Sequence, residues 1–180
     1  MFIKKESKPK KLFKYLTKEK VIEMLERARA HNKRNYLIIL TLWQTGMRNS
    51  EIRKLIKRDI DLKEECIWIR QGKGHKDRMI PLDKTLADLL MFHSSDFGLD
   101  DRLFGLSDMQ IRNIVHKYEG NDSVHPHTLR HSFAVNYLKN GGNIRCLQKI
   151  MGHADLNTTA EYLDLIGEDI KDDYKKIKFF

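Results

Sequence analysis

The sequence has almost no cysteine. Cys66 and Cys146 are the only two, they stand far apart, and neither belongs to a CxxC or metal-knuckle spacing. That excludes a disulfide-stapled secreted scaffold and a cysteine-based zinc module. Cys66 opens the apolar run Cys66-Ile67-Trp68-Ile69, and Cys146 precedes Leu147 in a helical pattern. Both are expected as buried thiols in a reducing compartment. Long apolar runs are missing too: none approaches the ~20 residues a membrane-spanning helix needs. There is no signal peptide with a charged start, apolar middle and small-residue cleavage site. Internal repeats and low-complexity tracts are also absent. A cytoplasmic protein is the expectation.

What is present is enough for one ordinary domain. Hydrophobic residues make up 41% of the 180 positions, sufficient for a core without staples. Lys plus Arg total 34 against 25 for Asp plus Glu, a net charge of +9. Such an excess suits a polyanionic partner, and it suits plain solubility equally well.

Residues Met1 to Lys14 carry Lys4, Lys5, Lys8, Lys10, Lys11 and Lys14 with Pro9, a basic arm or inter-domain linker. From Thr17 onward, Val21, Ile22, Met24, Leu25 and Ala28 recur at helical spacing. A second helix is expected from Arg34 to Gln44, ended by Gly46, and a third, capped by Asn49 or Ser50, through Leu55. The period then changes. Ile60–Leu62, Cys66–Ile69 and Arg78–Leu82 read as three short antiparallel strands, with Gly72 and Gly74 in the turn between the last two. Further helices are expected at Lys84–His93, Asp108–Tyr118, Pro126–Lys139, Ile144–Met151, Thr158–Leu163 and Glu168–Lys176. Pro126 suits a first helical turn, and Gly141-Gly142 is a break. The fold class is α+β, mainly α: helices with a small three-stranded antiparallel sheet.

Four short stretches can carry chemistry. His127 and Arg130 lie three apart on a helix, so an imidazole and an arginine fork can face one phosphate. An ordinary helix start with exposed polar groups gives the same letters. Arg48 leaves a helix at a glycine turn, and Glu51 follows where it can hold the guanidinium; a surface ion pair is the bland alternative. Lys73, His75, Lys76 and Arg78 crowd a hairpin tip that can touch DNA phosphates, or that is merely solubilised. Finally, Met151-Gly152-His153 precedes Tyr162 by nine residues, and a helical tyrosine is more often core than catalytic.

Taken together, in this order, the stretches resemble the catalytic domain of the tyrosine recombinases, the phage integrase family, with the Xer-like branch and its archaeal members most similar. The resemblance runs from about Leu12 to Lys175. It rests on Thr-Gly-Met-Arg-Asn-Ser-Glu-Ile around Arg48, Gly-Lys-Gly-His-Lys-Asp-Arg around Lys73, and His-Thr-Leu-Arg-His around Arg130. It rests equally on Met-Gly-His at His153 and Asn-Thr-Thr-Ala-Glu-Tyr ending at Tyr162. The resemblance implies site-specific DNA strand transfer with topoisomerase IB-like chemistry. Tyr162 would attack the scissile phosphate and hold the 3′ end, Arg48 and Arg130 would clamp its oxygens, and Lys73 would protonate the leaving 5′ oxygen. His127 would handle the tyrosine proton, His153 would bond the phosphate, and Glu51 would orient Arg48 and His127. Lys73, His75, Lys76 and Arg78 would bind DNA. No cofactor or metal is implied. The implied partner is double-stranded DNA, on which the chain would assemble as a tetrameric synapse through its C-terminal segment, associated with the nucleoid and with no membrane.

The departures are Met151, where leucine is commoner, and Leu163, where threonine often follows the tyrosine. The resemblance also implies that residues 1–14 are linker and 15–180 the catalytic domain, with the family's N-terminal core-binding domain absent. Two rivals remain. His125, His127 and His131 lie close enough in sequence to suggest a zinc hydrolase. A catalytically silent DNA-binding module would keep the same motifs.

Overall fold

A computed structural model describes residues 13–70, 77–121, 123–153 and 159–163. Helices dominate: α1 Lys18–His31, α2 Lys33–Thr45, α3 Asn49–Lys54, α4 Lys84–His93, α5 Asp108–Glu119, α6 Pro126–Lys139 and α7 Ile144–Met151. Between α3 and α4 lie β1 Ile60–Asp61, β2 Cys66–Ile69 and β3 Arg78–Pro81, an antiparallel sheet in the order β1-β2-β3. The expected fold class is the observed one. No helix among the described residues is long and apolar enough to cross a membrane.

α2 is the central helix. Leu37 to Leu42 are all buried, so it is apolar all round and α1, α4, α5 and α6 pack about it. Its start is set by Asn32, whose side chain accepts from the Asn35 amide and which alone separates α1 from α2. The main core joins α1 (Val21, Met24), α2, the sheet (Ile67, Ile80), α4 (Leu86, Leu90) and α5 (Ile111, Val115). A smaller cluster on the far side of α6 joins Ala134, Val135 and Leu138 to Leu147 and Met151 of α7 and to Tyr162.

Several local expectations are corrected. β1 stops at Asp61, because its carboxylate accepts from the Lys63 and Glu64 amides and turns the chain. β3 stops at Pro81: the Leu82 amide still donates to the Glu65 carbonyl at 2.7 Å, but Glu65, at φ 47°, has left the extended conformation and the ladder ends there. The residue capping α3 is Arg48 rather than Asn49 or Ser50, with the Glu51 carboxylate accepting from the Arg48 amide at 2.7 Å. Cys146 is exposed, because the buried face of α7 is formed by Leu147 and Met151; Cys66 is buried as expected. Tyr162 sits on a turn, its amide bonded to the Thr159 carbonyl, rather than within an unbroken helix. The expected helix at residues 168–176 lies outside the described residues.

Gly46 ends α2 in the left-handed conformation at φ 60°, and a Cβ there would lie 2.2 Å from the Phe133 ring on α6. Gly120 ends α5 at φ 76° with open space around it. The Gly46→Ala substitution should therefore cost roughly 2–6 kcal/mol, backbone strain plus overpacking. Gly120→Ala should cost only the strain, about 1–3 kcal/mol. Urea unfolding measures both, and equal losses would refute the close contact between α2 and α6.

Candidate active site

The sequence-predicted residues converge on the C-terminal end of α7. A helix end leaves carbonyls without intrahelical partners and carries partial negative charge. Here three consecutive carbonyls are each taken by a guanidinium from a different element. Arg78 donates through Nε to Ile150 (2.8 Å), Arg130 through Nη2 to Met151 (2.7 Å), and Arg48 through Nη2 to Gly152 (3.0 Å). Gly152 closes the helix at φ 63°, and a Cβ there would lie 2.9 Å from the Arg78 side chain.

The local sequence explains how each arginine arrives. Arg48 follows the Gly46 turn and is fixed by Glu51, which accepts from both its amide and its Nη1 (3.0 Å). Arg130 lies in the first turns of α6 and is 4% exposed; Nη1 donates to the Gly46 carbonyl at 2.6 Å and Nη2 also lies 3.0 Å from His153 Nε2. Arg78 opens β3 and alternates with Met79, so it points inward with Ile80. It donates through Nη2 to Glu51 at 2.8 Å. Arg78 is thus a buried tie between β3, α3 and α7, and not the free DNA-facing cation expected of it. Both Glu51 oxygens are used by Arg48 and Arg78, leaving the expected bond to His127 unmade. Lys73, His75 and Lys76 lie outside the described residues.

The charge balance favours an incoming anion. Three buried or half-buried guanidiniums meet one buried carboxylate. Burial pushes Glu51 up, but the Arg78 and Arg48 hydrogen bonds outweigh it and hold the carboxyl below its ordinary range, so it is ionised. Burial, and then Arg48, lower Arg130 to about 10, which keeps it charged at neutral pH. Burial and the three arginines push His153 down to about 4, so its ring is neutral. A guanidinium only donates, so His153 Nε2 accepts from Arg130 and Nδ1–H is left to donate to Thr159 Oγ1 at 2.9 Å. His127 is lowered by burial and by Arg130 and Arg48. It borders an open cleft of about 390 Å³ with Arg48, Ser50, Arg112 and His125.

Tyr162 lies beside this receptor, its ring 6.5 Å from that of His153 and nearly parallel to it. It is 2% exposed, and burial raises its phenol to about 12 despite Arg130. Its hydroxyl is 2.8 Å from Nδ1 of His131. Sequence reasoning placed His131 only in a zinc triad and missed this contact. The available signal was its position four residues after His127, one helical turn along. The three histidines do not form a ligand set: His131 faces the phenol, and the His125 and His127 rings are 6.3 Å apart and edge-on. Among the described residues, no group of three His, Cys, Asp or Glu side chains is placed to hold a metal ion.

This arrangement can be set against known proteins. The chain matches the model of the Phage integrase family over residues 14–100 and 106–167. It is 36% identical to a tyrosine recombinase XerA of Thermococcus kodakarensis, over 94% of this chain and 64% of that protein. It is 36% identical to a tyrosine recombinase of Pseudothermotoga lettingae, over 81% of this chain and 54% of that one. The chain thus spans between about half and two thirds of the length of these curated relatives. The catalytic domain of bacteriophage HP1 integrase has a TM-score of 0.71 at 27% identity, with 90% of this chain and 94% of that one covered. The XerH site-specific recombinase, bound to palindromic difH substrate in a post-cleavage complex, has a TM-score of 0.78 at 26% identity, with 95% of this chain and 55% of that one covered. A family match across most of the sequence, over a fold shared with solved recombinases, shows that this chain belongs to the phage integrase family of tyrosine recombinases.

Proposed function

We propose that this chain is the catalytic part of a site-specific recombinase that cleaves and rejoins double-stranded DNA through a 3′-phosphotyrosine intermediate. The observation that carries the reading is the cluster of Arg48 and Arg130 at the end of α7 with a tyrosine beside it. Arg130 uses only part of its five-donor fork on protein partners among the described residues, and Arg48 is partly exposed towards the cleft. Donors held rigid by the fold cost no reorganisation when charge builds on a phosphate.

In the proposed step, the Tyr162 oxygen bonds to phosphorus and the bond from phosphorus to the 5′ oxygen breaks. The phenolic proton passes towards His127, and Lys73 protonates the departing 5′ oxygen. Arg48 and Arg130 hold the non-bridging oxygens and Glu51 keeps Arg48 in place; His153 bonds the phosphate once its Nε2 gives up Arg130 and carries a proton. The new ester retains the energy of the old one, so the reverse attack by a 5′ hydroxyl rejoins the strand. Lys73, His75 and Lys76, with the lysines of residues 1–14, would bind the DNA backbone. DNA binding by this chain is supported by the likeness to the difH-bound XerH structure. Assembly as a tetramer through the segment after Glu168, and a place on the nucleoid, complete the proposal. The burial of Tyr162 favours one other reading, a silent DNA-binding module of the same fold.

The two readings separate on a pool of nicked suicide duplexes with randomised arms. The parent chain should form a covalent adduct that survives denaturation, and Tyr162→Phe should form none while binding DNA as well as the parent. Adduct on the substituted chain would move the nucleophile to another phenol, such as Tyr137 or Tyr174. No adduct on the parent would favour the silent module.

Binding itself should be mostly phosphate contact. With about four to six contacts, each adding a slope of roughly −0.9, affinity should fall on the order of a hundredfold or more between about 50 and 200 mM salt. A salt titration on two unrelated duplexes checks this. A flat response, or a preference of about a thousandfold for one duplex, would show base reading by this chain alone.

A further inference from the structure

Resting on the reading of Tyr162 as nucleophile, we propose that His131 and Phe13 hold Tyr162 in a parked position. His131 is then a positioning residue that binds the phenol, and Phe13 is a cover that must lift before Tyr162 can reach a phosphate.

The geometry comes first. An attacking oxygen has to come within about 3–3.5 Å of the phosphorus. Tyr162 is 2% exposed and packs into the Ala134, Val135, Leu138 and Met151 cluster, so the phenol cannot meet an outside phosphate where it stands. Its hydroxyl is already engaged by His131 Nδ1 at 2.8 Å. The Phe13 ring stacks on His131 with centroids 4.5 Å apart and planes 18° from parallel, and it tilts against Tyr162 at 5.5 Å. Three rings from three parts of the chain thus close on one another, with the phenol's only polar atom turned to a histidine.

The proton inventory agrees with storage rather than activation. Burial, then His127 and Arg130, lower His131 to about 4, while burial raises Tyr162 to about 12. The imidazole is neutral and accepts, the phenol is neutral and donates, and the proton stays on the oxygen. A base so much weaker than the phenolate cannot take that proton, so His131 does not generate the nucleophile in this arrangement. α6 therefore serves both partners of the reaction: His127 borders the cleft, while His131, one turn on, binds the phenol.

The cover has a handle. Phe13 lies in the short segment ahead of α1, which is tied to α6 by the Leu16 amide donating to Ser132 Oγ at 2.7 Å and held further by Lys14 donating to Ser123. Lys14 adjoins Phe13, so a phosphate that drew its ammonium away from Ser123 would loosen the cover.

The test is the reactivity of Tyr162 in the full chain. Nitration by tetranitromethane, read by peptide mass spectrometry against half-buried Tyr36, reports phenol access without DNA. Covalent adduct on nicked duplexes reports attack. Losing one neutral hydrogen bond or one aromatic contact should raise Tyr162 nitration roughly fivefold to thirtyfold in His131→Leu and in Phe13→Ala, with a parallel gain in adduct rate. His131→Asn, which keeps an acceptor close to the position of Nδ1, should behave like the parent. Phe13→Ala, at a half-buried ring, keeps the test open where His131→Leu does not fold. Unchanged nitration in the substituted chains would overturn the proposal. So would a gain in nitration with no gain in adduct, or a parent-like loss in His131→Asn. Adduct formed by Tyr162→Phe would instead overturn the underlying choice of nucleophile, whatever the nitration pattern.

Discussion

Three arginines satisfy the last two carbonyls of one short helix and that of its capping Gly152, and the rest of the site depends on that bond set. Ile150, Met151 and Gly152 offer acceptors that α7 cannot use, and Arg78, Arg130 and Arg48 supply the donors from β3, α6 and the α2–α3 turn. Orphan carbonyls at a helix end would otherwise need water or a cap. Here they fasten distant parts of the sequence to a single point. The positive charges gathered by this need are the same ones a phosphate would meet.

Glu51 keeps the concentration of charge tolerable. One buried carboxylate serves Arg48 and Arg78 together, with its own pKa held down by them. Removing a partner from such a buried set is expensive, because the remaining charge stays out of water. The unmatched excess is carried mainly by Arg130, which meets neutral carbonyls and a neutral His153 rather than a carboxylate. An anion arriving there would complete a balance that the protein leaves open.

Much of this was legible in the sequence, for identifiable reasons. The β2–β3 hairpin, the Pro126 start of α6 and the Gly46 end of α2 follow from period, proline and glycine, which act locally. Arg48, Glu51, Arg130 and His153 were expected at one site, and the structure brings them within hydrogen-bonding reach of one another or of α7. Arg78 was read as a surface cation because it stands among cations. Its alternation with Met79 and Ile80 put it on the inner face, a clue of period two that the charge obscured. Cys146 was read as buried from its neighbour Leu147, although adjacent helical positions face different ways. A break between Ala28 and Arg34 was expected from the two separate apolar patterns, and the structure puts it at the single residue Asn32. The His131–Tyr162 bond had only the helical spacing of His131 from His127 as a sign in the sequence, because it also depends on how a turn after α7 packs on α6.

The Arg130 fork serves the fold and, in the proposed function, would serve the phosphate as well. The direct measurement is single-turnover adduct formation by Arg130→Lys on a nicked duplex, with thermal unfolding of the same protein alongside. A lysine keeps the charge but cannot bond Gly46, Met151 and a phosphate at once. The account predicts a lowered melting temperature and cleavage slowed by roughly two to three powers of ten. Cleavage within about threefold of the parent, well short of the loss expected for one oriented donor, would show that Arg130 is only a structural cation and would contradict it.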